Sequence, residues 1–314
     1  MKIAFVGKGG SGKTSLSSLL SRFLAQKGHP VIAIDGDINQ HMGRSLSGSD
    51  ELQTSLPPMG IEAKTIKDHL RGENPLITSA ESMIKTTPPG KGSCLLSVMG
   101  PNPIFERFSR VVDGVRFMAV GPFSEEDLGV RCYHSKTGVV ELLLNHMVDR
   151  DGEYVVVDMT AGADAFASGL FTRFDLTILV VEPTVKSVDV YHQYQVYTKD
   201  HDVVVRVVGN KIESPADEAF IRERVGGAYI TGFPASSFIK RTDRGEHLSL
   251  SELSPVESDV LRKIKEVADT QKKDWPRYLS VAQEFHKKNA EGWANASAGM
   301  DLIHQIDSTF TYPE

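Results

Sequence analysis

Nine consecutive residues, Gly7-Lys8-Gly9-Gly10-Ser11-Gly12-Lys13-Thr14-Ser15, fill the pattern G-x-x-x-x-G-K-[ST]. Glycines at these positions let backbone N–H groups close round phosphate oxygens, and a helix beginning at Lys13 adds partial positive charge. Lys13 is placed to reach terminal phosphates, and the Thr14 hydroxyl is a ligand for Mg²⁺. Gly9, Gly10, Ser11, Gly12 and Ser15 complete the cradle. The flanks agree with this chemistry. Ile3-Ala4-Phe5-Val6 reads as a short buried strand, and Leu16, Leu19, Leu20, Phe23 and Leu24 fall on one helical face. Gly28 stands where that helix should stop.

Carboxylates follow two further apolar runs. Val31-Ile32-Ala33-Ile34 leads into Asp35-Gly36-Asp37, and Tyr154-Val155-Val156-Val157 leads into Asp158. Acids at the carboxyl ends of parallel strands, beside a phosphate loop, sit where ligands bind in open α/β sheets. Taken alone, Asp35-Gly36-Asp37 is equally an ordinary strand-ending turn. More strands are expected at Val115–Val120, Leu176–Val181, Val203–Val208 and Ala228–Phe233. Helices are expected at about Thr137–Val148, at Val188–Tyr197, and from Ser254-Pro255-Val256-Glu257, which reads as a capping box with proline in the first turn. The fold expected is a doubly wound, mostly parallel α/β sheet.

Lys8 narrows the family. A lysine directly after the first glycine is the deviant Walker A signature, and the chain resembles P-loop ATPases of the MinD/ParA class. The resemblance implies ATP and Mg²⁺ as ligands, ATP hydrolysis as the activity, and a homodimer in the ATP-bound state. Lys8 then reaches the nucleotide of the other subunit and stabilises charge on the transferring phosphoryl group, as an arginine finger does. Asp37 orients the attacking water, Asp35 lies near the Mg²⁺ shell, and Asp158 holds Mg²⁺ through water. Asp158-Met159-Thr160-Ala161-Gly162 is similar to the class's D-x-x-A-G switch. Asn210, followed by Lys211, occupies the place of the purine-reading asparagine, whose amide can both donate to and accept from an adenine edge. The guanine-reading pattern Asn-Lys-x-Asp is not met, because Glu213 follows Ile212, and this favours ATP over GTP. Pro234 and Ala235 form a wall of the base pocket.

Within the class, the chain is similar to the CooC-like ATPases that insert nickel into carbon monoxide dehydrogenase. Those proteins carry a C-x-C pair that two subunits bring round one metal. Here the pair reads Cys132-Tyr133-His134. Two sulfurs and two nitrogens from a dimer suit tetrahedral Zn²⁺ and could accept Ni. The residues fit equally a semi-buried thiol and a loop imidazole without metal. The resemblance implies a client protein, a metalloenzyme. A positioning ATPase of the ParA/MinD kind, or a nucleotide-switched scaffold without metal, remains the alternative.

Composition supports the same frame. The chain has 314 residues, 40% hydrophobic and 24% charged, in the range of globular proteins. Lys and Arg number 35 against 41 Asp and Glu, a net charge of −6 that argues against nucleic acid as a partner. Two cysteines argue against a disulfide framework, and a cleavable leader would remove the phosphate loop itself, so the expected compartment is the cytoplasm. The ATPase domain is expected to span 1–270. Residues 41–114 should be an irregular switch insertion with one short helix near Ala63–Leu70. Residues 271–314 should form a helical extension centred on Tyr278–Ala290, packed on the body or on a dimer partner. Its Met300, Leu302, Ile303 and Ile306 are accompanied by Asp301 and Asp307 rather than lysines, which argues against a membrane anchor.

Overall fold

All seven apolar runs expected to be strands join one eight-stranded sheet in the computed structural model, which describes residues 1–122, 133–160, 166 and 169–313. In chain order the strands are β1 Lys2–Gly7, β2 Val31–Asp35, β3 Leu96–Ser97, β4 Ser109–Val112, β5 Val115–Ala119, β6 Met147–Val148, β7 Tyr154–Asp158, β8 Leu176–Val181, β9 Val205–Ile212 and β10 Tyr229–Pro234. The main sheet runs β10-β9-β8-β1-β7-β2-β5-β4, while β3 and β6 make a separate pair. Every pairing in it is parallel except the β4–β5 hairpin at one edge. β1 sits between β8 and β7, so the chain after β1 leaves for one half of the sheet and later fills the other. The crevice at such a switch point is where ligands bind.

The central strands are buried on both faces, which is why they read as continuous apolar runs rather than alternating ones. Ala4, Val6, Ile32, Ile34, Val155 and Val157 point into one core layer, closed by helices that include Ala63–Arg71, Tyr133–His146 and Val185–Thr198. Ile3, Phe5, Val31, Ala33, Val156 and Ile178 point into the other. There the helices Lys13–Gln26 and Pro255–Asp269 supply Leu16, Leu20, Leu24, Val260, Leu261 and Ile264. The Ser254–Glu257 capping box forms as expected, with both reciprocal bonds present.

The stretch 41–114 is more ordered than its composition suggests. Besides Ala63–Arg71 it holds the helices Met42–Ser47, Glu51–Thr54 and Pro103–Phe108, and it ends in β4. Its scattered apolar residues, among them Met59, Ile77, Met83, Leu96 and Phe105, lie in the main core. Elements this short carry too little periodicity to show in a sequence window. The extension starts with Trp275–Asn289, capped by Asp274, whose side chain accepts from Arg277 N. Leu302 is fully buried. No helix among the described residues is long and apolar enough to cross a membrane.

Candidate functional site

Three strand ends bring the chemistry together. β1 runs into the glycine loop, and register pairs Asp35 of β2 directly with Asp158 of β7. The loop has no room for side chains at two of its glycines. A Cβ on Gly7 would lie 2.6 Å from Val180 O, and one on Gly12 would lie 2.1 Å from Asn210 Nδ2. Gly12 also has φ +93°, left-handed backbone that L side chains rarely adopt.

Lys13 Nζ donates to Asp37 Oδ2 at 2.6 Å, with both side chains nearly out of solvent. Thr14 Oγ1 donates to Asp158 Oδ2 at 2.6 Å. Asp35 is fully buried and accepts from Asp37 N at 3.1 Å and Met42 N at 2.9 Å, so it fixes the loop that carries Asp37. Burial is the first cause holding the Asp158 carboxyl up at about 7, against the pull of Lys13, and burial likewise pushes Asp35 well up. Asp158 Oδ1 is buried and has no hydrogen-bond partner among the described residues.

That orphaned oxygen answers whether the residues fit Mg²⁺. A hard cation takes oxygen donors, and the Thr14 hydroxyl beside Asp158 Oδ1 offers such a pair, the remaining positions falling to phosphate and water. A cation there would also neutralise the buried carboxylate. Among the described residues no group of three or more His, Cys, Asp or Glu is arranged to hold a metal by itself.

The loop, Lys13, Thr14 and Asp37 open onto a cavity of about 820 Å³, with Asn210, Pro234 and Ala235 on its wall. Pockets of this size hold nucleotide-sized ligands. Lys8 is exposed on the loop and its carbonyl accepts from Ser11 N at 3.0 Å. Asn210, expected as the base reader, lies on the cavity wall and also touches the phosphate loop. Its amide donates to Ser11 O at 2.7 Å, and Lys211 Nζ donates to Gly10 O at 2.9 Å and pairs with Glu182. Both side chains are thus engaged with the phosphate loop. Residues that went unnoticed in the sequence also line the cavity, notably Ile38, His41, Arg44, Lys240 and Asp243. They come from the turn after β2, from the helix Met42–Ser47 and from the helix Ser237–Asp243, and no motif marks them. Cys132, Ala161 and Gly162 lie outside the described residues. His134 falls in the first turn of Tyr133–His146.

A family model described as the CobQ/CobB/MinD/ParA nucleotide binding domain matches residues 3–273. The chain belongs to this family. Of the CobQ/CobB/MinD/ParA relatives, the carbon monoxide dehydrogenase accessory protein CooC of Rhodospirillum rubrum is 28% identical over 257 residues, 81% of this chain and 91% of its own. An uncharacterized ATP-binding protein of Methanocaldococcus jannaschii is 24% identical over 264 residues, 83% of this chain and 98% of its own. Solved structures agree on the fold. A ParA family ATPase from Chlorobium tepidum superposes with a TM-score of 0.57 at 14% identity, covering 83% of this chain and 96% of that one. The cell division ATPase MinD of Pyrococcus furiosus gives 0.54 at 15%, covering 85% and 98%. The expected resemblance to the MinD/ParA class and the parallel-sheet P-loop fold are therefore both borne out for this CobQ/CobB/MinD/ParA chain.

Proposed function

We propose that this chain is a Mg²⁺-dependent ATPase, working as an ATP-gated homodimer, whose cycle serves the assembly of a metal centre in a client enzyme. The observation that carries the reading is the convergence of two short pairs, Lys13–Asp37 and Thr14–Asp158, at the phosphate end of one nucleotide-sized cavity. Incoming phosphate oxygens compete with Asp37 for the Lys13 ammonium. As Lys13 turns to the phosphates, Asp37 is released to orient a water in line with the terminal phosphorus. Attack by that water forms the new P–O bond while the bond to the bridging oxygen breaks, leaving ADP and phosphate. Thr14 and Asp158 hold Mg²⁺, which supplies neutralising charge to the phosphates. Asp35, anchored by two backbone amides, keeps the Asp37 loop in place.

Lys8 stands free of the cavity floor, at the loop's exposed turn, where a second subunit could receive it. The homodimer is supported by this exposure together with the class membership. Metal-centre maturation is supported by the identity to CooC and by the Cys132-Tyr133-His134 triplet, whose doubling on a dimer axis would offer Zn²⁺ or Ni four ligands as cargo. Lys13→Ala should lose ATP affinity by 100-fold or more, on the order of the 3 kcal/mol seen for a lost buried charge contact; an unchanged Kd in calorimetry would contradict the site. In the same preparations, half an equivalent of transition metal per chain, lost in Cys132→Ser, is expected, and its absence with both ATP and ADP would leave the ATPase without the maturation role.

A further inference from the structure

β9 and β10 pair in parallel with a break in register: Gly232 meets Gly209, but Pro234 meets Ile212, so β9 carries one extra residue across this step. That bulge contains Asn210 and Lys211. On a regular strand, neighbouring side chains point to opposite faces. Here both reach the same loop, Asn210 donating to Ser11 O at 2.7 Å and Lys211 to Gly10 O at 2.9 Å. The backbone shows how: Lys211 has φ +58°, left-handed geometry uncommon for a residue with a side chain. Bulges beside active sites re-aim side chains, and strained backbone persists where surrounding contacts over-determine it.

The two carbonyls matter because a trans peptide holds its C=O and the next N–H antiparallel. Fixing Ser11 O on Asn210 turns Gly12 N–H the other way, and Gly12 lines the cavity. Fixing Gly10 O on Lys211 sets the peptide whose N–H, at Ser11, closes onto Lys8 O at 3.0 Å. The Lys211 ammonium is itself oriented by Glu182, one residue beyond β8. Two strand ends therefore hold the loop through two consecutive carbonyls, leaving the Gly12 amide turned away from Asn210.

Resting on the nucleotide reading above, we infer that the Asn210–Lys211 bulge, with Glu182, is a positioning clamp for the phosphate loop, so that Lys211 acts through the polyphosphate and not on the base. The clamp sets loop geometry for every nucleoside triphosphate alike. It also ties the turn carrying Lys8 to the end of β9.

The decisive probe is tripolyphosphate, which has the phosphates and no base. Mg²⁺-dependent displacement of a fluorescent ATP analogue gives its affinity beside those of ATP and GTP. Lys211→Met should weaken all three by a common factor of about ten, the size of a charge-assisted hydrogen bond. Lys211→Arg, which keeps a donor, should restore most of the loss. Thermal melting of each variant separates this from misfolding, and if Lys211→Met does not fold, Glu182→Gln should show a smaller common loss. Weaker ATP binding with tripolyphosphate unchanged would make Lys211 a base reader and overturn the clamp. Three unchanged affinities would overturn it as well. A wild-type chain that binds neither ATP nor tripolyphosphate would instead sink the nucleotide reading, and the clamp with it.

Discussion

His146 ends the helix Tyr133–His146 with its ring fully buried, Nδ1 meeting Leu142 O at 2.9 Å and Nε2 without a hydrogen-bond partner among the described residues. Burial pushes this imidazole down to about 4, and His286, also buried, is shifted in the same direction. A lowered pKa means that the folded state holds the ring neutral while the unfolded chain takes up a proton below its ordinary value near 6.5. Stability is then full above that value and falls as the pH drops toward 4. Between pH 7 and pH 5 the loss from His146 should be about 2 kcal/mol. Denaturant melts at the two pH values check this, and His146→Leu should shrink the difference; an equal difference in the variant would place the effect elsewhere. The catalytic candidates at this scale were legible because fixed spacing marks them: Lys13 and Thr14 by the glycines before them, Asp37 and Asp158 by the strands they end. Lys211 and Asn210 were legible as site residues but not in what they touch. Their contacts depend on a one-residue register break, which no local pattern encodes.

Whole elements were legible where their apolar periods are long. The seven strands and the helices Lys13–Gln26 and Pro255–Asp269 follow directly from runs and caps. The edge strand β4 did not, since Ser109–Val112 is short and half-exposed, and only the turn at Asp113–Gly114 pairs it with β5. The extension was legible as a helix but not in how firmly it docks. Tyr278 is buried, with its hydroxyl donating to Leu144 O at 2.8 Å. The fully buried Arg173 guanidinium stacks 4.4 Å from its ring and donates to Tyr278 O at 2.9 Å. Gln305 and Asp307 meanwhile bind Ser82 O at 2.8 Å and Lys91 N at 2.9 Å, so the extension also latches the segment before β3. Tyr278→Ala should cost about 3 kcal/mol or more, as removing a buried aromatic does. Chemical denaturation reads it, and a loss under 1 kcal/mol would mean that the extension is a loosely held appendage.

At the scale of the molecule, the chain holds its two core layers and its phosphate site in one protomer, yet leaves the Lys8 turn exposed. Lys13 places a nearly buried cation on the cavity wall. A second cation from a partner would complete the charge balance only while the terminal phosphate is present, which is what makes an ATP-gated dimer a switch. The strand ends that build the site in this chain could be read from the sequence; a surface on which two copies would meet could not, because it would have no period of its own. The most direct measurement is the solution mass of the chain by light scattering with Mg²⁺ and a non-hydrolysable ATP analogue, with Mg²⁺-ADP, and with Lys8→Ala. A dimer with the analogue, a monomer with ADP, and no analogue-driven dimer in Lys8→Ala is the predicted result. One mass under all three conditions, with ATP turnover intact, would contradict it.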